Sequence, residues 1–265
     1  MRLRQAFLVR MPRRCFLPLC AVAALLAAPA LADDFTVAAL NDIHVTDSSK
    51  TALLDEAIKV INGSNARLTL VLGDLSATGS QEQLELAKKS LDRLKMPYAV
   101  IPGNHDCPTN RPLPFAKTFR DSHWVRHEGN WCFIGLNSCD GPASTVSIRP
   151  KEIAWLKAQL QSIAADKPIA LFVHHPFNPH AKRYRVENAD KVLALFAGHK
   201  LKLVAAGHWH GNQEETREGV LFVTTACCTM TRDNFDKNPD KGFRLFSFKG
   251  ETVESRFVPV KVPGW

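Results

Sequence analysis

The stretch "AVIPGNHD", residues 99–106, decides how the chain is read. Ala99-Val100-Ile101 ends an apolar run, Pro102-Gly103 breaks it, and Asn104, His105 and Asp106 follow in unbroken succession. Asn and Asp occupy turns for local backbone reasons. The triplet alone therefore fits a solvated turn as well as three functional groups delivered to the edge of a sheet. The other strand ends of the chain weigh between the two.

Working outward, Phe35–Leu40 reads as a strand and 51–61 as an amphipathic helix with Leu53, Leu54, Ala57, Ile58 and Ile61 on one face. A continuous apolar strand follows over 68–72, then a helix over 81–94 with Ser80 as its N-cap and Gln83 three residues on. Strands are predicted at Tyr98–Ile101, 131–137, 169–173, 202–206, 220–225, 243–248 and 253–260, and helices near 150–164 and 187–197. Strands apolar along their whole length, separated by helices, predict an α/β domain with covered sheets. The strand-rich last third predicts a second, mixed sheet packed on the first. No repeat or linker divides 33–265, so one domain is expected.

Five of these strands end in side chains able to bind a metal. The first runs into Asn41-Asp42-Ile43-His44, the second into "GDLSATG" with Asp74, and the third into Asn104-His105-Asp106. The strand at 169–173 runs into His174-His175-Pro176, and that at 202–206 into Gly207-His208-Trp209-His210. Six of the ten histidines fall in these places. Each motif alone has a bland reading as a cap, turn or exposed loop. Five together do not, because ligand sites of open α/β sheets lie outside the carboxyl ends of strands. His-x-His in extended chain also puts both imidazoles on one side.

The ligand set is oxygen and imidazole without thiolate, which suits Mn, Fe, Zn or Co and disfavours a structural zinc. It exceeds the needs of one ion. Two ions sharing Asp74 would use it, and a pair about 3.5–4 Å apart clamps both oxygens of an in-line phosphoryl displacement.

The ordered set "DIH", "GDLSATG", "GNHD", "HHP", "GHWH" resembles the calcineurin-like metallophosphoesterases over residues 42–210, and its spacing looks most like their cyclic-nucleotide phosphodiesterase branch. The resemblance implies a four-layer α/β/β/α sandwich of two mixed sheets, with a dinuclear centre at the carboxyl ends of strands. It places Asp42, His44 and His210 on one ion and Asn104, His174 and His208 on the other, with Asp74 bridging. It makes His105 the proton donor to the leaving oxygen, with Asp106 orienting it. Asn104, His105 and His175 are then the expected substrate contacts. The family puts its ligand two residues before the Pro, at His174. Opposite faces for neighbours in extended chain point the same way, and Pro176 keeps His175 extended. One departure stands out: Ala77-Thr78 occupies the place where many members carry Asp or Asn, and protein phosphatases Arg. That counts against a protein phosphatase.

The formal charge of +8 does not mark a nucleic-acid binder. Residues 1–32 hold five arginines and no acid; without them 29 basic residues face 26 acidic ones, a net of +3. That segment reads as an export signal: basic residues to Arg13-Arg14, the apolar run "CFLPLCAVAALLAAPALA", and a small-x-small site at Ala30-Leu31-Ala32. Pro18, Pro29 and the alanine content argue against a retained membrane anchor. "RRCFL" resembles a twin-arginine signal, so a periplasmic or secreted location is expected. Of the remaining cysteines, Cys107, Cys132, Cys139, Cys227 and Cys228, at least one should stay unpaired in an oxidising compartment.

The chemistry expected is metal-dependent hydrolysis of a small phosphodiester without a covalent intermediate. A phosphomonoesterase or nucleotidase would use the same site. A non-catalytic exported metal-binding or redox protein, with Cys227-Cys228 as its redox element, is the third reading, and His105 speaks against it. The segment "HAKRYR", 180–185, offers Arg183 and Arg185 to a phosphate or to solvent.

Overall fold

Alternate residues of β1, Phe35–Leu40, enter two different cores. Val37 and Ala39 pack with Phe133, Phe172 and Leu203, whereas Ala38 and Leu40 pack with Leu53, Leu54 and Ile58. A strand buried on both faces needs apolar residues at every position, which is why this run carries almost no polar alternation. Burying each large side chain of this kind is worth about 1.5–3 kcal/mol. The computed structural model describes residues 34–109, 113–177 and 184–263, all within one compact unit, Ala32–Trp265. The export signal and residues 180–183 of "HAKRYR" lie outside the described residues.

Two mixed sheets make the scaffold. The first has the order β11(Thr252–Pro259), β10(Gly242–Lys249), β1, β2(Ala66–Leu72), β3(Tyr98–Ile101), with β1, β2 and β3 parallel. The second has the order β4(Trp124–Glu128), β5(Trp131–Leu136), β6(Pro168–Val173), β7(Lys200–Ala206), β9(Val220–Thr224), β8(Gln213–Arg217). In it β5, β6, β7 and β9 are parallel and the two edge strands antiparallel. The sheets meet face to face through Phe35, Leu70, Phe133, Phe172, Phe246 and Phe248. Helices α1(Ala52–Asn62) and α2(Gln81–Leu91) cover the outer face of the first sheet, and α4(Pro150–Ser162) with α5(Ala189–Leu193) that of the second. This is the expected α/β/β/α layering. Among the described residues no helix is long and apolar enough to cross a membrane.

The strand-rich last third does not form the second sheet by itself: β10 and β11 return to the first sheet, where β10 pairs antiparallel with β1. Ser80 caps α2 as expected, its Oγ accepting from Gln83 N, while the Gln83 side chain turns back to Thr78 N. The helix near 187–197 is broken into α5 and a 3-10 turn, Ala194–Phe196. Three elements were without a sequence signal: β4, β8 and α3(Leu113–Phe119). β8 reads "QEETR" and is an exposed edge, so no apolar periodicity marks it. Among the described residues Cys107, Cys132, Cys139, Cys227 and Cys228 are free and buried.

Candidate metal centre

The parallel strands of both sheets deliver their carboxyl ends to one place. β1 and β2 lead to Asp42 and Asp74, and their loops are laced by Asp42 N to the Gly73 carbonyl, 3.0 Å, and His44 N to that of Asp74, 2.9 Å. β6 and β7 bring His174 and His208 from the other sheet, joined by Gly207 N to the His174 carbonyl, 3.1 Å. His208 N then crosses between the sheets to Asp42 Oδ2, 2.8 Å.

The backbone here is bent in a way few residues tolerate. Asp42, His44, Asp74, His208 and His210 all have positive φ, between 40° and 64°. Such conformations cost energy in L-residues and persist where surrounding bonds over-determine them, typically at functional sites. The glycines before Asn104 and His208 allow close approach: a Cβ at Gly103 would collide with Asp74, and one at Gly207 would lie 2.7 Å from Asp42 Oδ2.

Asp42, His44, Asp74 and His210 form the first cluster, all buried, with one ligand atom of each within 4.8 Å of the others. His44 Nε2 lies 3.3 Å from His210 Nε2 and 3.6 Å from Asp74 Oδ2. Asp42 Oδ2 is occupied by Asn41 Nδ2, 2.6 Å, and His208 N. Its Oδ1 lies 3.2 Å from His210 Nε2 at an angle that makes no hydrogen bond. Atoms bound to one cation at about 2.0–2.2 Å stand roughly 3–3.5 Å apart. The orphaned oxygen and the two facing imidazoles fit that spacing, so the residues suit a divalent ion.

The second cluster sits on the other oxygen of Asp74. His174 Nε2 is 3.4 Å from Asp74 Oδ1 and 3.2 Å from Asn104 Oδ1, while its Nδ1 donates to the Leu72 carbonyl at 2.8 Å. His208 lies against it, ring centroids 4.9 Å apart. Asp74 thus offers Oδ2 to one cluster and Oδ1 to the other.

All seven residues expected as ligands are brought together here. His175 is buried in the same imidazole group, but its Nδ1 pairs with Ser138 Oγ at 2.8 Å and its Nε2 with the Ala143 carbonyl at 3.2 Å. Both nitrogens are taken and no surface reaches solvent, so the substrate contact expected of His175 has no free atom to make it. His105 is partly exposed. Its Nδ1 pairs with the Ala77 carbonyl at 2.7 Å, which leaves Nε2 for a substrate. A main-chain carbonyl does this holding, so the unusual Ala77 is no handicap. Asp106 is fully buried and accepts from Leu75 N, Ser76 N, Ser76 Oγ and Gly103 N at 2.8–3.1 Å. It clamps the "GDL" and "GNHD" loops together. Its contacts are to these loops, whereas the His105 ring is held by the Ala77 carbonyl, so Asp106 braces the loop that carries His105 and not the ring it was expected to orient.

The charges alternate. Burial alone would lower His210 and His174, but the Asp42 carboxylate raises the first to about 11 and that of Asp74 the second to about 9. Burial would raise Asp42 and Asp74, and the same imidazolium groups hold both well below the usual carboxylate range. Burial lowers His44 and His208 to about 4. Without metal, each carboxylate is therefore matched by one protonated imidazole.

Three backbone groups were invisible in the sequence. Pro142, Ala143 and Ser144 present successive carbonyls to Asn104 Nδ2, His175 Nε2 and His208 Nε2, at 3.4, 3.2 and 2.8 Å. Among side chains, Asn41 and Ser138 also lacked a signal; Asn41 stood in Asn41-Asp42-Ile43-His44 without a role.

The model of the calcineurin-like phosphoesterase family matches residues 35–212. A "Probable cyclic nucleotide phosphodiesterase" of Vesicomyosocius okutanii is 25% identical over 81% of this chain and 94% of its own. A 3′,5′-cyclic-nucleotide phosphodiesterase of Nostoc sp. is 26% identical over 86% and 94%. A "Probable glycerophosphodiester phosphodiesterase" of Arcobacter nitrofigilis is 28% identical over 62% and 70%. Among solved structures, the purple acid phosphatase of yellow lupin shares the fold with a TM-score of 0.64 at 13% identity, over 87% of this chain and 52% of that one.

Proposed function

Because the chain belongs to the calcineurin-like phosphoesterase family, and so to the enzymes that hydrolyse phosphoric esters, we propose that it cleaves small phosphodiesters at a site holding two divalent cations. The observation that carries this reading is Asp74, whose two oxygens face two separate ligand clusters. Asp42, His44 and His210 would hold one ion, and Asn104, His174 and His208 the other, with Asp74 shared. Mn, Fe and Zn all suit the donor set. Two such ions supply Lewis acidity, neutralising phosphate oxygens and making water nucleophilic near neutral pH.

The chain's own groups do the rest. Asn104 is fixed through Nδ2 on the Pro142 carbonyl, so its Oδ1 stays turned to His174. His105 N donates to Asp74 Oδ1 at 2.9 Å, locking the ring's loop to the shared carboxylate. As water adds to phosphorus and the bond to the leaving alcohol breaks, His105 Nε2 hands its proton to the leaving oxygen. His105 is the catalytic acid; Asp106 and His175 position the loops that carry the site.

The relatives' names support diesters over monoesters: cyclic nucleotides for two and a glycerophosphodiester for the third. We also propose export, from the arginine pair and apolar run of residues 1–32. The test is purified protein stripped with chelator, reloaded with Mn²⁺ or Zn²⁺, and offered bis-p-nitrophenyl phosphate, p-nitrophenyl phosphate and cyclic AMP. Activity should vanish and return with metal. A preference for the monoester above about tenfold in kcat/KM, roughly 1.4 kcal/mol, overturns the diester reading.

A further inference from the structure

The loops that follow β3 and β5 run side by side at the metal centre. The first, from Pro102, carries Asn104 and His105. The second, from Asn137, carries the Pro142–Ser144 carbonyls that hold Asn104, His175 and His208. Each loop also carries one cysteine, Cys107 or Cys139, and both are 2% exposed. Cys139 N donates to Asn137 Oδ1 at 2.9 Å, and its Sγ reaches the Pro102 carbonyl, 3.2 Å away at the root of the other loop. Cys107 N donates to the Asn104 carbonyl at 3.2 Å. So fixed, the two side chains meet. Burial, and after it the Cys107 thiol hydrogen-bonded against it, hold the Cys139 thiol well above its ordinary value.

The other three cysteines are set apart. Cys132 packs in the core between the second sheet and its helices, and Cys228 in that between the first sheet and its helices, on opposite sides of the sandwich. Cys227 and Cys228 adjoin in sequence, but Cys227 directs its Sγ to Asn234 Oδ1, 3.2 Å away, while Cys228 enters the core. An odd set of five thiols thus resolves into one facing pair and three single ones.

We propose that Cys107 and Cys139 are joined by a disulfide in the exported protein, a covalent staple between the two loops that orient Asn104. It needs the oxidising compartment of the export reading above and is independent of the phosphodiester chemistry. The oxidant is a disulfide-bearing compound such as oxidised glutathione. One cysteine thiolate attacks a glutathione sulfur, forming a mixed disulfide and releasing one glutathione. The second cysteine attacks the protein sulfur of that intermediate and releases the other. Two thiols lose two electrons to one glutathione disulfide, and their protons end on the two glutathione thiols. The bond ties a loop of the first sheet to one of the second, which the Asn104–Pro142 contact at 3.4 Å already joins.

The test uses the full chain, purified reduced, then held to constant composition in reduced or in oxidised glutathione. Free thiols are alkylated in denaturant, and the digest is read by mass spectrometry. A peptide linking Cys107 to Cys139 should appear in the oxidised sample and not in the reduced one, with fragmentation separating Cys139 from Cys132. Oxidised wild type should melt at least about 5 °C above reduced, because the bond restricts the unfolded chain. Cys107→Ala and Cys139→Ser should each abolish that difference. Alkylation of all five thiols after oxidation, or a linkage through Cys132, Cys227 or Cys228 in place of this one, overturns the proposal. A linked peptide without the rise in melting temperature overturns its role as a staple. If the wild type hydrolyses no phosphoester the proposed function falls, while the linked peptide still decides the disulfide.

Discussion

His208 donates from Nε2 to the Ser144 carbonyl, 2.8 Å away, whereas His174 donates from Nδ1 to the Leu72 carbonyl at the same distance. The two imidazoles of one cluster thus keep opposite nitrogens for the centre: Nδ1 in His208 and Nε2 in His174. A carbonyl on the far nitrogen fixes both tautomer and ring plane.

Amide substitutions can read this difference. An Asn oxygen stands at the reach of Nδ1, and a Gln oxygen at that of Nε2. His208→Asn should therefore retain more bound metal than His208→Gln, and His174→Gln more than His174→Asn. Metal per chain after gel filtration, by elemental analysis, gives the ranking. The same order at both positions would show that the tautomers are misassigned.

Replacing His105 by Ala should leave both ions bound and lower the rate by about 10²–10⁴-fold. Nitrophenolate leaving groups need little protonation, so bis-p-nitrophenyl phosphate should lose least and an alkyl diester most. Equal losses across leaving groups would remove His105 as the acid.

Metal loading should release protons. In the metal-free protein His174 and His210, raised to about 9 and about 11, are protonated at pH 7.5, and a metal-bound imidazole must be neutral on its ligand nitrogen. The metal competes with these protons, so apparent affinity should rise with pH below their pKa values and fall on acidification. Roughly two protons per chain should appear in weakly buffered solution on titration with Zn²⁺ or Mn²⁺. Release of none would mean that the imidazolium–carboxylate pairs do not exist.

The parallel strands and the seven residues proposed as ligands were legible because both are written in side chains. Apolar runs such as Leu70-Val71-Leu72 report burial on two faces, and Asp74 two residues beyond reports the carboxyl edge. What stayed hidden was written in backbone or in distant pairing. The Pro142–Ser144 carbonyls have no side-chain signature, and the left-handed turns at His44 and His210 follow from a lattice of loop bonds. Nothing in "GFRLFSFK" tells that β10 returns to β1 rather than extending the second sheet. Nor does a lone Asp106 announce four donors converging on it.

Arg244 shows what such hidden pairing is worth. From β10 of the first sheet its guanidinium reaches Thr225 Oγ1, the Thr224 carbonyl, Asn212 Oδ1 and Glu214, so it ties the two sheets together while buried. Arg244→Met leaves buried acceptors unpaired and should cost on the order of 2–4 kcal/mol in chemical denaturation. Glu214 is 44% exposed, so Glu214→Gln should cost less than about 1 kcal/mol. A larger loss for Glu214→Gln than for Arg244→Met would place the strength of this junction in the ion pair itself.

The last prediction separates His174 from His175. Neighbours in extended chain point to opposite faces, and here only His174 turns a nitrogen to Asp74 and Asn104. The His175 ring is 4.3 Å from that of His208, yet its two nitrogens are spent on Ser138 and Ala143. Burial, aided by the charge of His174, lowers its pKa well below the ordinary value, so it stays neutral while it braces the loop of carbonyls behind Asn104 and His208. His174→Ala should lose one ion per chain and nearly all activity. His175→Ala should keep two ions but lose about 1–3 kcal/mol of stability through unpaired buried groups, with a milder fall in rate. If His175→Ala loses an ion while His174→Ala keeps both, the ligand is His175 and the second cluster is built on the other face of the strand end.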